Sequence, residues 1–290
     1  MIECDVLVHA RQAVYDPQDP GGPQSFRANG STADRLALIL NQGEARQLLR
    51  SPPPADTETL AKMIAGQENA DVVIIKLGAA GACVYDSTGV ATVPAYQTPR
   101  VWKIGSGDTF SAAFAYYWMN EGLPAAHAAR RASLAAALYC NGGDINNLIQ
   151  LTPLAEVTRR VSSKELPAQV YLAGPFFTTA ELWLVTEAWR FLRESHVPVF
   201  SPYHDVGIGA GEEVAPKDLE ALRRSSVVLA LVDGSDAGTL FEVGYARALN
   251  IPVIALSENP REQDLKMITG SGCELYADFA AALYRVAALA

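Results

Sequence analysis

With 290 residues, 49% of them hydrophobic and 19% charged, the chain has the size of one large or two ordinary globular domains and not the composition of a disordered one. Its net charge of −9 argues against a nucleic-acid backbone or an anionic membrane surface as the main partner, and no apolar run reaches the roughly 20 residues that span a bilayer. The N-terminus has no basic and apolar leader, and the four cysteines (Cys4, Cys83, Cys140, Cys273) form no Cys-x-x-Cys pair, so a cytoplasmic protein with reduced thiols and no structural zinc is expected.

In chain order, Asp5 to His9 and Leu36 to Leu40 have the character of short strands, and residues 16–33, rich in Pro, Gly and Asp, read as a loop. Val72 to Leu77 and Ala82 to Tyr85 predict strands joined by a Gly78-Ala-Ala-Gly81 turn, and Ser106 to Asn120 and Ala125 to Cys140 predict two long helices. Pro153 to Val161 reads as a short helix, and the polar, proline-ended Ser162 to Pro167 reads as a linker. The expected organisation is a domain over residues 1–151, a linker over 152–167 and a second domain over 168–290.

The second domain alternates regularly. Strands are predicted at Val170 to Gly174, Val197 to Phe200, Val227 to Val232 and Pro252 to Leu256. Helices are predicted at Thr178 to Ser195, Asp218 to Arg224, Thr239 to Asn250 and 277–288, with Thr178 or Thr179 as the first N-cap and Glu181 in its first turn. Repeated β-α alternation with apolar, β-branched strands predicts a doubly wound parallel sheet.

The chemistry gathers after the Val227 to Val232 strand. Asp233, Asp236 and Glu242 crowd a strand-to-helix turn, which in such a sheet lies where ligands bind. A helix starting at Thr239 puts Glu242 in its first turn, where the dipole favours the ionised, nucleophilic carboxylate. Gly238 permits a close approach of backbone to ligand. Asp218, at the expected start of the preceding helix, joins the same sheet edge, and the loop Gly174-Pro175-Phe176-Phe177 offers aromatic surface to a flat ring. The histidines show no metal spacing, and His204, in Ser-Pro-Tyr-His-Asp, reads as a loop-packing side chain.

Tyr171-Leu-Ala-Gly-Pro-Phe-Phe177, Phe200-Ser-Pro202, Asp218-Leu219 and Asp236-x-Gly-Thr-x-Phe-Glu-Val-Gly-Tyr-Ala246 together resemble the nucleoside 2-deoxyribosyltransferase family, over residues 168–290. The resemblance implies a flavodoxin-like sheet and a retaining transfer of deoxyribose between nucleosides and free nucleobases, with no cofactor and no metal. It implies Glu242 as the nucleophile that forms a deoxyribosyl ester, Asp236 on the sugar hydroxyls, Asp218 as carrier of the base proton and Tyr171 as the hydroxyl that positions Glu242. Gly174, Pro175, Phe177, Gly238 and Thr239 would line the substrate. The family forms oligomers in which a neighbour closes the site, and Met267, in Asp264-Leu-Lys-Met267, lies where such a contribution would come from. Two alternatives stay open at this point: hydrolysis of deoxynucleoside monophosphates by a similar glutamate, and a sensing module without turnover. The loop over Gly174 to Glu181 carries no Lys or Arg for a phosphate, which favours an unphosphorylated nucleoside.

In the first domain, Ile104-Gly-Ser-Gly-Asp-Thr-Phe110 resembles the C-terminal signature of ribokinase-like (PfkB-type) carbohydrate kinases. Asn41-Gln-Gly-Glu44 fits that family's Asn-x-x-Glu pattern, tied to magnesium and phosphate, and Lys76-Leu-Gly-Ala-Ala-Gly-Ala82 fits its nucleotide-side strand and turn. The resemblance implies ATP with magnesium at this half, with Gly105 and Gly107 presenting N–H groups to phosphate and Asp108 as the base on a sugar hydroxyl. The half is shorter than such kinases, begins in mid-domain and has Arg100-Val-Trp-Lys-Ile104 in place of the usual Asp-Thr-Thr lead-in. A partial ribokinase-like α/β domain is therefore expected, with a sugar or nucleoside kinase as a further alternative.

Overall fold

A computed structural model describes residues 6–18, 21–96, 98, 100–142, 169–195, 197–259 and 262–290. The expected linker at 152–167, the helix over Pro153 to Val161, and Cys4 and Asp5 lie outside the described residues. The described residues form two compact units, each with its own five-stranded sheet, the second built mainly from the residues after 168.

The first unit orders its strands β1 (His9–Tyr15), β2 (Thr32–Asn41), β3 (Val72–Lys76), β4 (Ala82–Asp86) and β5 (Gly89–Val93) side by side, with β1 to β3 parallel and β4 and β5 antiparallel to their neighbours. Its helices are α1 (Gln42–Leu48), α2 (Thr57–Glu68), α3 (Ser106–Ala115) and α4 (Ala125–Gly142). The unbroken apolar run of β2 is explained by burial on both faces. Leu36, Leu38 and Leu40 pack in one core with Leu60 and Ile64 of α2, while Ala37 and Ile39 pack in the other with Phe110, Phe114 and Ala128.

The first strand differs from the expected Asp5 to His9. Pairing starts at His9, opposite Thr32, and runs to Tyr15, opposite Leu38, so the partner's position, and not the strand's own hydropathy, sets its place. The expected helix over Ser106 to Asn120 holds α-geometry only to Ala115 and ends in a π-turn over Tyr116–Asn120.

The second unit runs β6 (Val170–Ala173), α5 (Thr179–Glu194), β7 (Val199–Phe200), α6 (Gly211–Arg224), β8 (Val227–Leu231), α7 (Ala237–Ala248), β9 (Val253–Leu256), α8 (Glu262–Gly270), β10 (Glu274–Tyr276) and α9 (Phe279–Leu289). All strands are parallel, in the order β10-β9-β8-β6-β7. This is the flavodoxin-like order, and the strand order reverses between β6 and β8, which places the crevice for a ligand beyond their carboxyl ends. Val170, Leu172, Leu229 and Ile254 face one core and Tyr171, Ala173, Val228 and Ala230 the other.

Two helix starts correct the sequence expectation. α6 begins at Gly211 and runs through Pro216, so Asp218 is its eighth residue and does not open it. α7 begins at Ala237, because Asp236 caps it, so Glu242 is its sixth residue, beyond the first turn. The dipole's influence fades after the first turn, so it is not what sets the ionisation of Glu242.

Candidate active site

Four side chains converge at the switch point from three elements. Tyr171 in β6 is fully buried, its ring stacked on Phe200 of β7 at 5.7 Å, and its hydroxyl donates to Glu242 Oε1 at 2.5 Å. Burial, then the neighbouring Glu242 carboxylate, push the phenol above its ordinary range, so it stays a hydrogen-bond donor. Burial likewise pushes the Glu242 carboxyl up to about 7, against the hydrogen bond from Tyr171, with the charges of Asp218 and Asp236 adding to the rise. The expectation of a carboxylate held ionised by a helix dipole is thus replaced by a buried carboxyl poised near neutrality, kept ionisable by one short hydrogen bond.

Asp218 projects from the middle of α6, and its Oδ1 is buried with no hydrogen-bond partner. A buried acceptor left bare is costly and is where a ligand proton would be received. Burial raises its pKa, partly offset by Lys217. Asp236 is half-buried, and its Oδ2 accepts from the Thr239 N–H at 2.7 Å and the Thr239 hydroxyl at 2.9 Å. Both bonds use one oxygen. Thr239 is itself buried, its hydroxyl engaged in the cap.

The flanking glycines shape this edge. A Cβ on Gly174 would stand 3.2 Å from Leu231 and Val185, so the turn after β6 packs as tightly as it does only with glycine. A Cβ on Gly238 would press on Asp236 Oδ2 at 3.2 Å and disturb the cap. Phe177, beyond Pro175, is 73% exposed, and Met267, on α8, is 81% exposed.

Two site features were missed in the sequence, and a third, Glu181, was read only as a first-turn residue of α5. Asp233 is more than a turn residue: it accepts from the Ser257 hydroxyl at 2.6 Å and the Glu258 N–H at 2.8 Å, tying the end of β8 to the loop after β9. Phe200 backs Tyr171, a pairing set by the β6–β7 register of Tyr171 opposite Phe200. Glu181 closes the start of α5: its Oε2 accepts from the N–H groups of both Phe177 (3.1 Å) and Thr178 (2.8 Å), while the Thr178 hydroxyl accepts from its N–H at 3.3 Å. The Thr-x-x-Glu spacing of a capping box was the signal available for the last.

The kinase-like motifs lie in the first unit. Gly105 adopts φ +81° and caps α3, with Gly107 and the exposed Asp108 in the first turn. A Cβ on Gly105 would fall 2.6 Å from the Tyr139 hydroxyl, which donates to the Ile104 carbonyl. Asn41 and Glu44 form a reciprocal capping box on α1, Asn41 Oδ1 accepting from the Glu44 N–H and Glu44 Oε2 from the Asn41 N–H. Lys76 pairs with Asp16 at 2.9 Å, and Ser111 donates to the same oxygen. Among the described residues no group of three or more His, Cys, Asp or Glu could hold a metal ion, and the Asn41–Glu44 pair is closed on itself. Among the described residues, too, no helix is long and apolar enough to cross a membrane.

Comparison with known proteins divides the chain in the same way. Residues 170–275 match the family described as nucleoside 2-deoxyribosyltransferase, and residues 19–149 match the pfkB family carbohydrate kinase. No curated protein matches. Similar solved structures include a 2-deoxyribosyltransferase from Bacillus psychrosaccharolyticus, at 31% identity over 39% of this chain and 88% of that one with a TM-score of 0.34. Another, from Leishmania mexicana, is 21% identical over 42% of this chain and 97% of that one, with a TM-score of 0.36. A Burkholderia thailandensis nucleoside kinase in complex with inosine is 25% identical over 39% of this chain, with a TM-score of 0.31, and this chain spans only 35% of its length. The chain thus joins a pfkB-like region over residues 19–149 to a nucleoside 2-deoxyribosyltransferase-like region over residues 170–275.

Proposed function

We propose that the C-terminal region transfers 2-deoxyribose between nucleobases, with Glu242 as nucleophile. The observation that carries this reading is the buried Glu242 carboxyl, pushed up to about 7, held by the Tyr171 hydroxyl and sharing its electrostatic surroundings with Asp218 and Asp236. Three acids in different environments can divide the roles of nucleophile, proton carrier and sugar ligand.

In the first half-reaction a Glu242 oxygen bonds to the anomeric carbon and the bond from that carbon to the base nitrogen breaks. Its electron pair leaves with the base, and Asp218 donates a proton to the base. In the second, a nitrogen of the incoming base bonds to the anomeric carbon, the ester to Glu242 breaks, the carboxylate is regenerated, and Asp218 takes the proton from the incoming base. Two displacements retain the configuration. Tyr171 holds Glu242 in the geometry of attack. Asp236 Oδ1, free of the cap, faces the sugar hydroxyls.

The region takes an unphosphorylated nucleoside. A helix N-terminus is the usual seat for a phosphate, and at α5 the Phe177 and Thr178 N–H groups are already engaged by the Glu181 carboxylate.

The test is a base-exchange assay: the protein, a deoxynucleoside and a second free base, with the new nucleoside followed by chromatography. Exchange by the native chain and none by Glu242→Ala is expected. Free base without a new nucleoside would mark a hydrolase, and binding without either product a sensor.

A further inference from the structure

The sequence offers Phe177 as the aromatic wall for the base, yet that ring is 73% exposed. Next to it Phe176, of the same loop, and Tyr203, which the motif pattern does not include, form a second, braced aromatic surface that the reaction scheme does not use. The register of Tyr171 opposite Phe200 brings the loop after β6 and the turn after β7 to the same edge of the sheet, the edge that carries Glu242. The turn after β7 is a single π-turn over Pro202–Val206, a geometry found disproportionately at functional sites. It carries Tyr203, whose ring lies 5.4 Å from Phe176 with the planes at 45°. Both rings are half-buried, so each keeps a face for a ligand.

The turn is fixed from behind by His204. Its ring lies flat on Trp189 of α5, with centroids 4.5 Å apart and planes at 5°, and stands edge-on to Tyr203 at 5.1 Å. His204 Nδ1 is 3.0 Å from the hydroxyl of the fully buried Ser201, and Nε2 is 3.4 Å from the Thr186 hydroxyl. Asp205 closes the turn by accepting from the Ser201 N–H at 2.7 Å. Five rings therefore run in contact from α5 to the loop after β6: Trp189, His204, Tyr203, Phe176 and Phe177. His204 is thus contacted at both nitrogens and covered on one face, as suits a side chain that fixes the turn.

We propose that Tyr203, with Phe176, is the wall against which the nucleobase stacks, and that His204 is a positioning residue that holds Tyr203 there. The proposal rests on the reading of the C-terminal region as a base-exchanging site. It assigns base affinity to the turn after β7 and leaves Phe177 as an outer, replaceable contact. A planar, aromatic, uncharged heterocycle is the ligand such a surface takes, with stacking as a sequence-tolerant force that does not by itself separate purine from pyrimidine.

The experiment compares Tyr203→Leu, His204→Ala, His204→Asn and Phe177→Ala, with exchange kinetics varied in acceptor base and in donor nucleoside, and equilibrium dialysis of free adenine and free thymine against each protein. Tyr203→Leu is expected to raise the KM for the acceptor base about tenfold or more, the size of a lost stacking contact, with kcat within about threefold. His204→Ala should reproduce that pattern, and His204→Asn, which keeps a group beside the Ser201 hydroxyl, should recover part of it. Phe177→Ala should change KM less than Tyr203→Leu. Equal base affinity in native protein and Tyr203→Leu overturns the wall. A fall in kcat or in melting temperature for His204→Ala with base KM unchanged overturns the positioning role. The dialysis reads base binding without turnover: tenfold weaker binding in Tyr203→Leu with no exchange by the native chain sustains the wall and sinks only the transferase reading.

Discussion

Tyr171 and Glu242 stand 71 residues apart in the chain and meet at 2.5 Å, the tyrosine O–H donating to Oε1. One comes from the strand that starts the second sheet and the other from the helix that follows its third strand, so the contact exists only because β6 and β8 lie side by side. That bond opposes the burial that raises the Glu242 carboxyl to about 7.

Tyr171→Phe removes the donor and leaves the burial. The Glu242 pKa then rises further, and the fraction ionised at pH 7 falls. The limb of kcat/KM against pH that climbs toward pH 7 in the native protein should move to higher pH, by about one unit or more, with the two proteins converging at alkaline pH. A profile that drops in height without moving would mean that Tyr171 acts on geometry and not on ionisation.

Glu242→Gln tests the same burial through stability. The carboxyl is at about 7 in the folded chain and 4.5 in the reference state. Between those values the folded state binds the extra proton, so native stability falls as pH rises through the window, by on the order of 3 kcal/mol in all. The amide carries no such slope. The variant should lose exchange by roughly a thousandfold or more, yet gain stability relative to the native chain as pH goes from 5 to 8, read as the midpoint of the second unit's urea transition. A pH-independent difference in midpoint would contradict the burial.

Asp236 serves two roles on different oxygens, and substitutions separate them. Asp236→Asn keeps an N-cap acceptor for Thr239 and loses the charge, while Asp236→Ala loses both, at about 1 kcal/mol for the cap. The expected outcome is near-native thermal stability with depressed exchange for Asn, and lower values of both for Ala. Equal exchange in Asn and native protein would leave Asp236 as a cap alone.

The doubly wound sheet was legible because its strands are apolar blocks separated by capped helices, and Thr178 with Glu181 marks the start of α5 in four letters. Tyr171, Asp218, Asp236 and Glu242 were legible as a set through their motif, although the burial that sets the ionisation of Glu242 was not. Pro216 hid the first two turns of α6, since proline ordinarily ends a helix pattern, and so Asp218 passed for a first-turn residue. Gly238 hid the start of α7 in the same way, and with it the distance of Glu242 from the dipole. The pKa of Glu242, the backing of Tyr171 by Phe200 and the role of Asp233 depend on which strands are neighbours, which no local pattern records. In the first unit the Asn41-x-x-Glu44 spacing was read for its ligand chemistry, and the structure uses the same two side chains to cap α1.

On the proposed reading, Glu181 selects a free over a phosphorylated 5′ end. Its carboxylate engages two N–H groups at the start of α5 and places a negative charge where a phosphate would otherwise sit. Glu181→Gln keeps an oxygen acceptor for those N–H groups and removes the charge, and Glu181→Ala frees the N–H groups as well, at about 1 kcal/mol of helix stability. The native chain should use a deoxynucleoside well and its 5′-monophosphate poorly. The ratio of their kcat/KM values should shrink about threefold in Gln and about tenfold in Ala, since a free helix N-terminus favours a dianion by about 1 kcal/mol or more. The gain should fade as salt is raised from 50 to 500 mM, as exposed charge interactions do, on the order of a Debye length at each strength. A ratio equal in all three proteins would place the selection against phosphate elsewhere in the site. A native preference for the monophosphate would instead favour the hydrolase chemistry over base exchange.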